Sequence, residues 1–175
     1  MNFKQGFILI GSILMLSFGL PQDIQKKVDK EIRTTFNIEE FTCNAVSISA
    51  EVMQILPSSF GKDNFFEITS NQTRLGYAYV AKAASKMDEF DYLVLLDQDL
   101  IVLKAKVLVY REDYGGEIGS KRWLKQFIGK TQDDALVYGD NIVAISGATI
   151  SVQAMTSAMN NLLKSLKILH SKNIL

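Results

Sequence analysis

A chain of 175 residues, 47% hydrophobic and 22% charged, has room for one domain and an appendage, with globular rather than disordered or polytopic composition. Its 19 basic and 19 acidic side chains cancel, so no basic excess points to nucleic acid. One cysteine, Cys43, and one histidine, His170, exclude a disulfide framework, a Cys/His zinc site and a Ser/His/Asp triad, so any chemistry must come from something bound.

The first 20 residues stand apart. Lys4 precedes an apolar run, Gly6 to Leu20, and Pro21-Gln22-Asp23 follows it. That order predicts a signal peptide or membrane anchor over 1–20, and hence an exported protein on the periplasmic side of the cytoplasmic membrane, anchored or cleaved and soluble. The run is short for a spanning helix, which takes about 20 residues.

Next, Ile24, Val28, Ile32 and Phe36 recur every fourth residue among charged neighbours, the stripe of an amphipathic helix. Ala45 to Leu56 reads as a second helix ended by Pro57, so residues 21–60 form a helical N-terminal extension to a domain over 61–175. Turns at Asp63-Asn64 and Asn71-Gln72 bracket a strand at Phe65–Thr69.

From Leu75 the pattern is that of strands. Asp91–Leu96 is a buried run, Asp97-Gln98-Asp99 a turn, and Leu100–Tyr110 a strand with Ala105, Val107 and Val109 on one side. Ser120–Ile128 reads as a short helix presenting Trp123, Leu124 and Phe127, and Tyr138–Ile145 as a short extended segment. A strong apolar stripe from Val152 to Leu169 makes Ser151–His170 a long C-terminal helix with Ser151 as its N-cap. The sum is an α+β domain, an antiparallel sheet with flanking helices.

The segment Ile145-Ser146-Gly147-Ala148-Thr149-Ile150-Ser151 offers a turn of small residues, three hydroxyls and the start of a helix. Free N–H groups and the positive dipole end there suit an anion, phosphate above all. Gly115-Gly116-Glu117-Ile118-Gly119 does not spell a dinucleotide fingerprint, because Tyr114 stands where its first glycine belongs. Asp97, Asp99, Asp133, Asp134 and Asp140 lack the spacing of a calcium loop and read as turn residues, leaving no metal site.

Ser146-Gly147-Ala148-Thr149 resembles the Ser/Thr-Gly-Ala-Thr motif of the FMN-binding domain family, found in the C subunit of sodium-pumping NADH:quinone oxidoreductase and the G subunit of the Rnf complex. Tyr110–Gly119 followed by Trp123-Leu124 and Phe127-Ile128-Gly129 is similar to that family's Glu-Thr-Pro-Gly-Leu-Gly turn and Trp/Phe helix. The likeness implies FMN, a phosphoester on Thr149 made by a flavin transferase, and cofactor contacts from Ser146, Gly147, Ala148, Ser151, Glu112, Gly115, Gly116 and Trp123. It implies a membrane-associated electron carrier with an extracytoplasmic redox partner, rather than a stand-alone enzyme. Val143 stands where the family usually has an acid, three residues ahead of its first Ser/Thr. The alternatives are non-covalent FMN, or a non-redox extracytoplasmic scaffold keeping the fold.

Overall fold

The computed structural model describes residues 19–175, so the predicted signal or anchor segment falls, apart from Gly19 and Leu20, outside the described residues. In chain order the elements are α1 (Gln22–Phe36), β1 (Thr42–Ala45), α2 (Ala50–Met53), β2 (Phe65–Ser70), β3 (Thr73–Ala84), β4 (Glu89–Asp97), β5 (Val102–Val109), α3 (Lys121–Leu124) and α4 (Thr149–Ser171). Single 3₁₀ turns at Gly116–Gly119 and Lys125–Phe127 flank α3. The five strands form one antiparallel meander in sequence order, so the α+β class expected from the pattern is the one observed. Among the described residues no helix is long and apolar enough to cross a membrane.

Both faces of the sheet are covered, which is why β3 and β4 read as nearly continuous apolar runs instead of a clean alternation. On one face, Ile24, Val28 and Ile32 of α1 meet Phe66, Ile68, Val80, Leu93 and Leu95. On the other, α4 lays Val152, Met155, Met159 and Leu162 over Tyr77, Tyr79, Tyr92 and Val94, with Trp123 and Phe127 closing the side. Phe65 stacks on Tyr77 at 5.5 Å between ring centres. Burial pushes the Tyr92 hydroxyl upward in pKa and does the same to the Cys43 thiol, which is 7% exposed.

Four expectations are corrected. Ala45 is no helix start: it ends β1, where it pairs with Phe66, and the helix behind it shrinks to Ala50–Met53 with Ser49 as N-cap. Pairing with a distant strand overrides the local helical pattern there. Val109 does not share a side with Ala105 and Val107. The register between β4 and β5 shifts between Asp91 and Tyr92, which inserts Leu108 and turns Val109 toward α1's face.

Tyr138–Ile145 forms a single bridge, Tyr138 to Ile142, rather than an extended strand. Side-chain amides take backbone N–H groups within it and just before it instead: Gln126 Oε1 accepts from Val143 N at 2.8 Å, and Asn141 Oδ1 from Val137 N at 2.8 Å. Finally, α4 starts at Thr149, with Ala148 and not Ser151 as N-cap.

Candidate functional site

The residues from Ile145 to Ala148 make a tight turn, closed by Ala148 N donating to Ile145 O at 3.2 Å. Gly147 sits in it at φ +78°, a left-handed conformation that a Cβ would strain. The chain then enters α4 directly, with Val152 N donating to Ala148 O at 2.9 Å. Among the described residues no side chain caps this end. The leading N–H groups of Thr149, Ile150 and Ser151 therefore have no intrahelical acceptor, and they lie at the positive end of a 23-residue helix. Ser146, Gly147, Thr149 and Ile150 are exposed, so the helix start and the Thr149 hydroxyl open outward, with Ser151 buried behind them.

A second loop, from Tyr110 to Gly119, rests on that turn. Gly115 adopts φ +76°, and a Cβ built on it would lie 2.6 Å from Ala148 Cβ and 3.1 Å from Gly147 O. Only a glycine admits this approach. Gly116, next to it, faces open space, with no described atom within 4 Å of a Cβ built there. The Tyr110 hydroxyl lies 3.0 Å from Ser151 Oγ, which ties the loop to the first turn of α4 and explains why Ser151, 2% exposed, does not serve as the cap.

Two of the residues singled out from sequence stand one layer behind the opening. Glu112 accepts from Ser85 Oγ at 2.6 Å, from Met87 N at 2.7 Å and from Asp88 N at 3.3 Å, so its carboxylate holds the hairpin turn between β3 and β4. The Ser85 hydroxyl, then the Met87 N–H, keep that carboxyl below the usual range. Trp123 is 5% exposed, packs edge-on against Phe127 and donates its Nε1 to Val143 O at 2.8 Å. With Gln126 it clamps the backbone that leads into the turn. Gln126 and Ser85 escaped the reading of the sequence, and Tyr110 entered it only as the start of the Tyr110–Gly119 segment, since each acts through a partner remote in the chain.

Two of the aspartates that invited a cation serve as turn acceptors. Asp97 Oδ1 receives the N–H groups of Asp99 and Ile101, and Asp134 Oδ2 receives Thr131 N. Asp133 pairs with Lys167 at 2.7 Å on the surface.

Residues 87–164, from the tip of the β3–β4 hairpin to the body of α4, match the model of the FMN-binding domain. The chain carries an FMN-binding domain. No curated protein matches the chain. Both loops, α3 and the uncapped start of α4 lie inside the matched span, whereas α1 and β1 to β3 precede it. FMN is the cofactor of such a domain, and the geometry fits it. Free helix-terminal N–H groups suit the phosphate, Gly116 and Gly147 leave room beside the backbone, and the Thr149 hydroxyl stands at the same opening.

Proposed function

We propose that this flavoprotein is an exported, membrane-associated electron carrier whose FMN is held as a phosphoester on Thr149. The observation that carries the reading is the start of α4: an exposed threonine at the first helical position, with no side-chain cap among the described residues and a glycine loop pressed against it. In this reading Thr149 Oγ1 would hold the flavin phosphate as the ester oxygen, its proton and the leaving group of an activated flavin nucleotide departing in the flavin transferase reaction, and the N–H groups of Ile150 and Ser151 would face the phosphate charge. FMN, when bound, supplies one- and two-electron redox chemistry. The chain orients it, with Gly115 and Gly116 admitting a close approach and Tyr110 holding Ser151 in place. Export follows from Lys4 and the Gly6–Leu20 run, a flavin transferase supplies the ester, and an extracytoplasmic redox partner completes the path.

Val143, 64% exposed at the position where the resembling family has an acid, supports a second reading in which FMN is held without a covalent bond. Co-expression of the full chain with a flavin transferase separates the two on a denaturing gel. A fluorescent band that disappears in Thr149→Ala supports the ester. A dark band from natively yellow protein supports non-covalent FMN, and a dark band from colourless protein sinks the carrier altogether.

A further inference from the structure

The chain enters the domain at the same end of the sheet that carries the flavin turn. Leu20 and Pro21 line a cleft with Ile24, Asp91 and Arg111, and Leu20 packs against the core beneath α1. Asp91 pairs with Val109, the last residue of β5, and Arg111 donates to both Asp91 and Glu89 O. Tyr110, next in the chain to Arg111, reaches through the end of the sheet to Ser151 in the first turn of α4. Entry point and flavin turn are thus on opposite faces of one sheet end, joined by Tyr110-Arg111. No linker separates the apolar run from the fold, since the run ends at Leu20 and α1 begins at Gln22.

That end also differs in surface from the other. Met87, 83% exposed, and Tyr114, 82% exposed, are the two most exposed large apolar side chains among the described residues. Both belong here: the Met87 N–H bonds Glu112, and Tyr114 precedes the glycine that touches Ala148. Ile150, 48% exposed, adds to them from α4. At the opposite end the hairpin tips are Asn71-Gln72 and Gln98-Asp99, exposed and polar, with Ile128, 52% exposed, beside the start of β5. Charges around the apolar end are mixed, Lys82, Lys86 and Arg111 against Asp88, Glu89, Asp113 and Glu117, so nothing there selects anionic lipid.

We propose that the sheet end bearing Met87, Tyr114 and Ile150 lies on the lipid surface, so that Thr149 opens into the headgroup layer. This rests on the reading of residues 1–20 as a retained anchor. Leu20 is fixed to the fold and is the last residue of the apolar run, so the domain can stand off the bilayer by only a residue or two of extended chain, about 3.5 Å each. Met87 and Tyr114 are then the side chains suited to the interface, Tyr with its ring in the apolar zone and its hydroxyl in water. A redox partner reaches the flavin turn at the membrane surface and not from bulk water.

The test uses the full chain reconstituted into phosphatidylcholine vesicles, with an environment-sensitive fluorophore on single introduced cysteines. Cys43 is buried and stays unlabelled. Met87→Cys and Tyr114→Cys probe the proposed contact, and Gln72→Cys and Gln98→Cys the far end; all four positions are exposed and lie in turns, where a cysteine displaces no packed side chain. Headgroup-spin-labelled lipid is expected to quench the first pair several-fold more than the second, with little dependence on salt. Equal quenching at both ends, or stronger quenching at 72 and 98, overturns the orientation while leaving the anchor standing. Failure of the unlabelled chain to float with the vesicles overturns both, and flavin fluorescence on the denaturing gel reports the ester separately.

Discussion

Ser120 and Ala148 begin the two helices beside the flavin turn, and they begin them in opposite ways. Ser120 has extended backbone, and its Oγ accepts from Trp123 N at 3.2 Å, so the four-residue α3 is sealed by its own side chain. Ala148 has no hydroxyl to offer, and α4, 23 residues long, starts with its donors free. The helix with most to gain from a cap is the one left without it. A start optimised for stability would place Ser, Thr, Asp or Asn at position 148. The alanine there instead admits Gly115 and leaves the N–H groups for an anion.

The largest break in that contrast comes at Gly115. Gly115→Ala combines a left-handed backbone with a contact of 2.6 Å to Ala148 Cβ. The expected loss is about 2–3 kcal/mol of stability in urea unfolding, from the strained backbone and the overpacking together. Retained FMN, read by absorbance per protein, falls with it because the turn is pushed aside. Gly116→Ala, in open space, leaves the unfolding free energy unchanged and is the stability control, while any loss of FMN there reports the room that this glycine leaves for the cofactor. An intact variant at Gly115 would mean that the two loops are not wedged together.

Ser120→Ala removes the sealed start, at an expected cost of about 1 kcal/mol in the same unfolding measurement. Flavin content should stay at the wild-type level, since Trp123 keeps its bond to Val143 O and its contact with Phe127. Loss of flavin in this variant would show that the capped helix, and not the open one, governs the site.

A smaller effect is expected in acid. The carboxyl of Glu112 is depressed in the folded chain, chiefly by the Ser85 hydroxyl and the Met87 N–H. Its contribution is therefore complete above the ordinary glutamate value of about 4.3, and it is lost as the pH falls through the lowered folded value. Glu112→Gln should lower the unfolding midpoint somewhat at neutral pH, where that contribution is complete, and meet the parent in acid, so that the fall below about pH 5 is flatter. A variant as acid-sensitive as the parent would place the acid limb elsewhere, Asp134 being the other carboxyl held low, by the Thr131 N–H and Lys130.

What the sequence made legible follows from where each element finds its partners. The stripe Ile24, Val28, Ile32 is local, and α1 follows it. So do β2 to β4 and the apolar face of α4, whose periods persist over several turns or pairs. What stayed hidden is decided by remote groups. Val109 looks like the next inward residue of β5 until the insertion of Leu108 against β4 turns it over. Ser151 spells an N-cap, but Tyr110, 41 residues earlier, takes its hydroxyl. Leu136 spends its backbone N–H and C=O on the Asn160 amide, at 2.9 and 2.6 Å, so the segment behind it never needs a strand partner. Within the site, the Ser146–Thr149 motif could be read directly, whereas the seat of Gly115 on Ala148 required the fold.

Val143 is the position where the contrast can be sharpened with least disturbance. Its backbone is held at both ends, by Gln126 Oε1 and by Trp123 Nε1, while its side chain is 64% exposed and holds nothing in place. Val143→Asp should therefore leave stability within about 0.5 kcal/mol of the parent. The same change supplies the acid of the resembling family on the approach to the open helix start, without touching Thr149 or its donors. If a flavin transferase reads that acid, covalent fluorescence per chain on a denaturing gel rises in the variant. Asp140, on the turn where its N–H meets Val137 O at 3.2 Å, is the nearest natural carboxylate, and Asp140→Asn then lowers the signal in the parent but not in Val143→Asp. Unchanged fluorescence in both variants would mean that the free N–H groups and hydroxyl at the start of α4 suffice to direct the ester to Thr149.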